Sequence, residues 1–501
     1  MAIRCKNLCK GSQPPAGSLM AQVLLLTILA VLFAGCNPAV HELKEPVAAP
    51  SQFSEPGLSP MPDKWWLSFE DTVLNSLIEQ ALSNNFSLKA AWDRLSQAEA
   101  TARKTGAGLY PTLNAEAGVS QTHNHADGQT TQSDTYTLGL AASYELDLWG
   151  RIRSNRDAAA FDMQASAEDL QTAALTLSAQ VAGTWYQLVE QYGQLEVLNA
   201  QISTNEKALE LVTLQFRTGQ VGIADVLQQR QLIEATRGEK TQVEADVKVL
   251  EHQLSILLGY PPQQTVAPRV STLLDLAPMP QTGLPAELIQ QRPDIRAAYF
   301  RVQAADSDLA AAVADRFPRL SITASAETTV GNTEDLFNNW LTTLAANLVA
   351  PVIDGGQRKA EADRTRAAAS EALNTYGQTI LDALGEVEDA LAQEQQQRKF
   401  IDSLEIQLTL AEQVVERVRE RYLQGIMDYQ RALDALLSQQ ELQRSLLAAQ
   451  RTLVQNRIDL CRALGTGWDL ERPEQDPSDT SPTTDNNILS WQELARVRGR
   501  G

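Results

Sequence analysis

The pattern of hydrophobic and polar positions repeats at two different periods along the 501 residues. The first period is two residues, and it follows each of the dipeptides Tyr110-Pro111 and Phe317-Pro318. A period of two predicts β-strands with one apolar face. The alternating apolar positions fall in four segments: Leu113, Ala115, Ala117 and Val119; Tyr136, Leu138, Leu140, Ala142, Tyr144 and Leu146; Leu320, Ile322, Ala324 and Ala326; Trp340, Leu344, Ala346, Leu348 and Val352.

These four predicted strands have about 10–12 residues each, which is long enough to cross a membrane when tilted. A soluble sandwich alternates in the same way, so the pattern leaves both architectures open. Four strands cannot close a membrane barrel, and open edges in lipid leave backbone groups unpaired. If the strands span a membrane, several chains must therefore share one barrel. The polar residues 121–133 are predicted to form a loop.

The second period is seven residues, and it predicts long helices that pack as coiled coils. The first series is Ala174, Val181, Leu188, Leu195, Ile202, Leu209 and Phe216, and the second is Ile380, Val387, Ile401, Leu408, Val415 and Tyr422, with Glu394 as its one polar member. The proline-free spans 152–217 and 357–423 predict helices of about 66 residues, each roughly 100 Å long. Each is followed by a turn, at 218–222 or 424–428, and by a return helix that stops at Gly259 or Gly465.

The main part of the chain is an internal duplication, in which one pattern of elements occurs twice. Gly150, Gly219 and Gly259 recur 206 residues later as glycines, and Tyr110-Pro111 recurs 207 residues later as Phe317-Pro318. We therefore predict a first repeat at 63–259, a linker with irregular structure at 260–285 and a second repeat at 286–465. Residues 466–501 are rich in Pro, Ser, Thr and Asp, a composition typical of a disordered tail.

The N-terminus has the features of an export signal. Arg4, Lys6 and Lys10 precede an apolar stretch at 20–33, which is too short to span a bilayer but suits a signal peptide. The sequence Leu32-Phe33-Ala34-Gly35-Cys36 resembles a bacterial lipobox, so Cys36 is predicted to be the lipid attachment site. The alternative is an ordinary signal peptide with an incidental cysteine. We expect residues 1–35 to be removed and residues 36–62 to form a lipid-anchored, extended tether to the outer membrane.

Composition excludes several classes of function. With 42 Lys+Arg against 62 Asp+Glu, the net charge of -20 argues against nucleic-acid binding. Four cysteines exclude a disulfide scaffold, and four histidines leave little material for a zinc enzyme. We find no nucleophile–base pair, phosphate loop or metal cluster in the sequence. We therefore expect that the protein is not an enzyme and binds no cofactor.

Two weaker groups of polar residues remain. His123 and His125 are spaced to chelate a surface metal, but we expect them to be merely exposed beside an external loop. The polar face of the strands carries four acidic residues, which either bias a lumen toward cations or are simply solvated: Glu116, Glu145, Asp147 and Glu327.

Several motifs stand in a consistent order in both halves: Trp65-Trp66 followed by Phe69, Asp71 and Leu74; Arg292-Pro293-Asp294-Ile295; Ala350-Pro351-Val352-Ile353-Asp354-Gly355-Gly356; and Glu386-Val387-Glu388-Asp389-Ala390-Leu391. In these motifs and in the lipobox, the chain resembles the outer membrane factors of the TolC superfamily. The resemblance is greatest to the OprM-like or NodT-like lipoproteins of that superfamily. The resemblance covers about residues 60–465. It implies a mixed fold, in which a homotrimer forms a 12-stranded β-barrel in the lipid bilayer and a long α-helical barrel of 12 helices in the periplasm.

The resemblance also implies a function and a set of partners. The protein would be the passive exit duct of a tripartite efflux system, completed by a periplasmic adaptor (membrane fusion) protein and an inner-membrane transporter of the RND type. A duct for type I protein secretion is a second possibility, and a coiled-coil lipoprotein scaffold without a pore is a third. The duplicated amphipathic strand pair argues against the scaffold, which would not need it.

The two predicted turns carry the candidate site residues. Val221-Gly222-Ile223 resembles the family's Val-Gly-Leu motif for adaptor contact, with Ile in place of Leu. The second turn contains Asp428, and three copies of this carboxylate near one axis would repel each other and favour paired positive groups. Arg421 and Arg431 are the candidate partners in a periplasmic gate. The alternative is that all three are solvated residues of the turn.

Overall fold

The computed structural model describes residues 46–48, 50–465 and 467–472. The predicted signal peptide and Cys36 lie outside the described residues. The chain divides into two compact units. Of the described residues, the first unit comprises those up to Phe53, Arg94–Asp169 and Gly283–Glu386, and the second comprises Ser54–Asp93, Leu170–Thr282 and those from Val387 onward.

The helices and strands follow the duplicated order predicted from the sequence. The α-helices are α1 (Thr72–Asn84), α2 (Phe86–Gly106), α3 (Arg151–Arg217), α4 (Ile223–Leu257), α5 (Pro285–Gln291), α6 (Pro293–Ala314), α7 (Gln357–Leu423) and α8 (Tyr429–Leu464). The strands are β1 (Thr112–Ala126), β2 (Gln129–Leu146), β3 (Arg319–Val330) and β4 (Leu341–Val349). Short 3-10 helices cover Trp65–Phe69, Ala107–Leu109 and Thr333–Asp335.

The first unit contains one antiparallel sheet with the order β1-β2-β3-β4. Its register places Ala115 opposite Leu140, and Leu140 opposite Ala326, so the predicted apolar positions share one face. That face is uncovered within the chain, since Val119 is 74% exposed and Leu344 is 79% exposed. Strands β1 and β4 are the two edges of the sheet. The prediction of four strands with one apolar face is confirmed.

The predicted loop at 121–133 is wrong. Strand β1 continues to Ala126 and β2 begins at Gln129, so the strands have 15 and 18 residues and only Asp127-Gly128 turns between them. Asp127 has φ 54° and Gly128 has φ 77°, as the favoured two-residue hairpin turn requires. The polar segment shows no alternation because both of its faces meet solvent, yet the backbone ladder continues through it.

The two long helices α3 and α7 have 67 residues each. Their bounds agree with the predicted spans because Gly150 and Gly219 flank α3, while Gly356 and Gly425 flank α7, all with positive φ. No helix within the described ranges is long and apolar enough to cross a membrane.

An aromatic cluster near the start of the second unit forms part of its core. Trp65 and Trp66 are fully buried. Asp71 caps α1 through one carboxylate oxygen, and its other oxygen accepts hydrogen bonds from Trp185 Nε1 at 2.9 Å and Tyr186 Oη at 3.2 Å. Burial, reinforced by the Asp71 charge, raises the pKa of Tyr186. The cluster therefore ties the first helix to the middle of α3.

Two described segments that were predicted to be irregular make specific contacts. Trp468 packs edge-on against Trp66 with ring centroids 4.8 Å apart, so the predicted disorder from 466 does not apply to residues 467–472. The segment predicted to be an extended tether also forms hydrogen bonds with other parts of the second unit, from residue 54 onward. Ser54 N donates to Glu388 at 3.1 Å, and Gln281 N donates to Ser59 O at 2.7 Å. The composition of these segments predicted irregular structure, but composition carries no signal for contacts with residues this distant in the sequence.

Glu394, the one polar member of the second heptad series, is fully buried. It pairs with buried Arg457 of α8 through two contacts of 2.5 and 2.9 Å, and Arg398 donates to it at 3.0 Å. Arg457 also donates to the carbonyls of Ala277 and Pro278 in the linker, at 2.9 and 3.3 Å. The break in the heptad is thus an ion pair that joins two helices to the linker.

Asn85 joins two helix ends in the second unit. Its side-chain oxygen accepts from Leu88 N at 3.0 Å and caps the start of α2, while its Nδ2 donates to Leu257 O at the end of α4, at 2.8 Å. Gly259 has φ 81° and lies so close to Asn84 that a Cβ would come within 2.6 Å of its carbonyl oxygen. The Asn85 side chain therefore bonds to both helix termini, and the positive φ of Gly259 ends α4.

Candidate functional site

The two interhelical turns of the second unit have the same geometry. In the first, Gly219 N donates to Phe216 O at 3.0 Å and Gln220 N donates to Gln215 O at 2.9 Å. In the second, the amides of Gly425 and Ile426 make the equivalent bonds at 2.9 and 3.0 Å. The glycines have φ 75° and 74°, a conformation that other residues adopt only with strain. The duplication seen in the sequence therefore extends to the backbone of the turns.

The predicted adaptor-contact residues lie at the start of α4. Gly222 is the residue before the helix, and its amide donates to the Asp225 carboxylate at 3.1 Å. Val221 is half-buried against the neighbouring hydrophobic cluster, whereas Gly222 and Ile223 are exposed, with Ile223 at 53%. The structure thus presents one large apolar side chain outward beside a bare backbone.

The predicted gate residues lie around the second turn, and all three are exposed. Asp428 is the N-cap of α8, and its carboxylate accepts from the backbone amide of Arg431 at 2.9 Å. Within the described part of the chain, neither the Arg421 nor the Arg431 guanidinium forms an ion pair with Asp428. The predicted charge pairing is therefore not made inside a single chain.

Two tyrosines form the core beneath the turns. Tyr422 and Tyr429 are buried with ring centroids 6.1 Å apart, and they pack with Val212, Val226 and Leu433. The Tyr422 hydroxyl donates to Gln215 and the Tyr429 hydroxyl donates to Gln229. Each bond joins one helical hairpin to the other.

Burial, together with the nearby Tyr422 and Asp225, raises the pKa of Tyr429. Burial and the charge of Asp225 also raise the pKa of Tyr422. Both phenols are thus held neutral and act as hydrogen-bond donors. The two hairpins are joined here by neutral bonds rather than by ion pairs.

Side-chain amides extend the contact between the two hairpins along α3 and α8, and we call this row of polar contacts the seam. Asn205 and Gln440 exchange hydrogen bonds at 3.1 and 3.5 Å, and Gln229 Nε2 donates to Asn205 O at 2.9 Å. Farther along, Gln201 and Gln194 donate to carbonyls of α8 at 3.0 Å. These amide contacts between α3 and α8 were not predicted from the sequence. Their signal is present, because Gln194, Gln201 and Gln215 stand at multiples of seven residues beside the apolar heptads.

The polar face of the sheet in the first unit is a second candidate site. Its register places Glu116 opposite Gly139, and Gly139 opposite Glu327, so the two carboxylates share one row across three strands. The other two acidic residues have local partners. Glu145 pairs with Arg151 at 2.8 Å, and Asp147 accepts from the first amides of α3 at 3.0 and 2.9 Å.

Comparison with known proteins identifies the class of this fold. The family described as "Outer membrane efflux protein" matches residues 77–260 and 284–466. The pyoverdine export outer membrane protein OpmQ of Pseudomonas aeruginosa is 33% identical over 472 residues, which is 90% of this chain and 98% of that protein. The cation efflux system protein CusC of Escherichia coli O6:H1 is 30% identical over 466 residues, or 89% of this chain and 98% of that protein.

A solved structure of the outer-membrane channel OprN is also similar, with a TM-score of 0.79 and 28% identity, covering 85% of this chain and 98% of that chain. The fold is therefore that of the TolC-like outer membrane channels, as the resemblance predicted. The chain belongs to the outer membrane efflux protein family. Its location is the outer membrane, and its relatives are named for export, efflux and channel formation rather than for catalysis.

Proposed function

We propose that three copies of this chain form the exit duct of a tripartite efflux system for small molecules. The observation that carries the proposal is the sheet, which has an exposed apolar face and two unpaired edges. In lipid, the backbone groups of β1 and β4 need partners, and only closure with other copies supplies them. Three copies of four strands give the 12-stranded barrel that the family resemblance implies.

Helix α7 supports the same assembly. Ile406, Leu410 and Val414 recur every four residues and are all about half exposed or more in the single chain. Such a stripe on a helix outside the membrane is unfavourable in water and is suited to packing against another helix. Neighbouring copies of the chain would cover it in a closed α-helical barrel.

The partners follow from the family and the hairpin turns. A periplasmic adaptor would contact Val221, Gly222 and Ile223, where Ile223 offers apolar area and Gly222 allows close approach of another backbone. An inner-membrane transporter of the RND type would supply the energy, as the family resemblance implies. Replacing Ile223 with Asp is expected to abolish capture of the cognate adaptor, whereas Ala224→Asp, on the adjacent exposed position, should weaken it less.

The cargo does not follow from the relatives. OpmQ is named for pyoverdine export and CusC for cation efflux, although this chain is about equally similar to both. Choice of cargo is therefore assigned to the transporter. The lipid anchor at Cys36 would hold the tether in the outer membrane, and a Cys36→Ala variant is expected to lose acylation by mass spectrometry.

Asp428, Arg421 and Arg431 would form a gate only between copies, because Asp428 caps its own helix. The double replacement of Asp428 and Arg431 with Ala is expected to raise single-channel conductance. Asp428→Asn separates the roles, since Asn keeps the cap but removes the charge. Conductance that rises with Asn as well supports charge pairing between Asp428 and the arginines of neighbouring copies, and conductance unchanged in all variants would refute the gate.

The membrane role of the sheet has its own test. Lys at Leu344, on the apolar face, is expected to cost about 2–4 kcal/mol at mid-membrane depth and to reduce assembly. Lys at the adjacent Thr343, on the polar face, is the matched control and should assemble normally. Equal effects at both positions would favour the scaffold without a pore.

A further inference from the structure

Two of the four histidines, His123 and His125, lie within β1. The register places them opposite Gln132 and Thr130. Residues i and i+2 of a strand point to the same face and are about 6.6 Å apart along it. The paired strand therefore holds both side chains on one face at a fixed spacing, which a mobile loop would not do.

Each imidazole is oriented by an oxygen. His125 Nδ1 lies 2.7 Å from Thr130 Oγ1, and His123 Nε2 lies 3.3 Å from Gln121 Oε1. One nitrogen on each ring, Nε2 of His125 and Nδ1 of His123, then remains available as a ligand. Metal-binding histidines are commonly fixed in this way, with the second ring nitrogen held by an oxygen.

The surrounding charge favours a cation. The hairpin formed by β1 and β2 contains no Lys or Arg, and it carries four acidic residues. Asp134 pairs with Gln121 in the register, so it lies diagonal to His123 on the same face. Gln121 Nε2 donates to the Asp134 carboxylate at 2.9 Å, which connects this negative charge to the His123 ring.

We propose that His123 and His125 form a two-histidine site for a divalent transition metal, with one ion per chain. Imidazole nitrogens select Cu²⁺, Ni²⁺ or Zn²⁺ over Mg²⁺ and Ca²⁺. No group of three or more His, Cys, Asp or Glu residues is placed to hold a metal in the described part of the chain. Water therefore completes the coordination sphere, and the site is open rather than structural.

The test uses untagged, full-length protein in detergent, titrated with Cu²⁺ and followed by calorimetry and electron paramagnetic resonance. We expect one Cu²⁺ per chain with a spectrum of nitrogen coordination. His123→Ala and His125→Ala are each expected to weaken binding by about 10-fold or more, the loss that removal of even an orienting partner produces. His252→Ala, at an exposed position on α4, is the control and should leave the affinity unchanged.

A rescue variant tests the geometry itself. Gln121 lies on the same face as His123, so Gln121→His in the His125→Ala background recreates an i, i+2 pair and should restore part of the Cu²⁺ binding, with an affinity below wild type because the oxygen that orients His123 is lost. Wild-type affinity no higher than that of the His123→Ala/His125→Ala protein would overturn the proposal, as would failure of the rescue. Neither readout depends on whether the protein conducts ions.

Discussion

The ion pair between Glu394 of α7 and Arg457 of α8 allows a quantitative test of how the two helices of the second hairpin are held together and to the linker. Both side chains are at least 95% buried, and the contacts of 2.5 and 2.9 Å form a bidentate pair. Removing one partner of a buried pair costs about 3–5 kcal/mol, because the remaining charge stays in a poorly solvated site. We therefore expect Glu394→Leu and Arg457→Met each to lower the free energy of unfolding by that amount.

The double variant should cost much less than the sum of the single variants. It leaves no buried charge, and its remaining penalty comes from the carbonyls of Ala277 and Pro278, which lose their donor. A buried carbonyl without a partner costs about 1–3 kcal/mol. The expected coupling between the two sites is about 3 kcal/mol, the upper end for residues in one ion-pair network.

The measurement is a double-mutant cycle by guanidinium unfolding of the purified protein in detergent, followed by far-UV circular dichroism. The surface pair Glu361 and Arg364 has a similar bidentate geometry but is more than half exposed, so its cycle should show no measurable coupling. If the Glu394–Arg457 cycle is additive to within about 0.5 kcal/mol, the pair does not hold α7 and α8 together as described.

The same pair predicts a dependence on pH. Burial alone raises the pKa of Glu394, but hydrogen bonds and charge from Arg457 and Arg398 outweigh it and hold the pKa below the ordinary value of 4.5. A group with a depressed pKa stabilises the fold fully above its unfolded pKa, and this contribution is lost as pH falls through the folded pKa. Wild-type protein should therefore lose stability below about pH 4 more steeply than the Glu394→Leu/Arg457→Met protein.

Three further substitutions test single contacts. Asn85→Ala should cost about 1–3 kcal/mol in unfolding free energy, because it removes the α2 cap and the donor to the end of α4; a cost near zero would show that water replaces both bonds. Tyr429→Phe leaves the buried Gln229 oxygen unpaired and should speed amide hydrogen exchange at the start of α8, and unchanged exchange would contradict the proposed seam. Gly128→Val should destabilise the protein by about 1–2 kcal/mol through strain at φ 77°, whereas Asp127→Asn should be neutral; equal effects would show that the turn is not constrained.

Much of the fold was predictable because strong local rules agree. Gly150 and Gly219 flank the first long helix, and the absence of internal prolines with a strict heptad leaves few alternatives between them. The apolar face of the sheet was also predicted correctly, because alternation of apolar and polar residues indicates a strand with one face in an apolar environment. The length of β1 was missed because a strand with water on both faces loses that alternation.

The candidate site was predicted only in part. The turns were found because Gly219 and Gly425 are required there by the backbone, and Val221-Gly222-Ile223 stood out by resemblance. The neutral bonds from Tyr422 and Tyr429 were missed, since a tyrosine at a heptad position is read as apolar packing. Buried Glu394 was noted only as a break in the heptad, because the sequence does not show that Arg457 of another helix meets it.

The proposal that this chain forms a trimeric pore is tested most directly by the mass of the detergent-solubilised protein together with its conductance in planar lipid bilayers. We expect a trimer with discrete conductance steps, and a step size that increases when Asp428 and Arg431 are both replaced with Ala. A monomeric protein that inserts without conducting would contradict it.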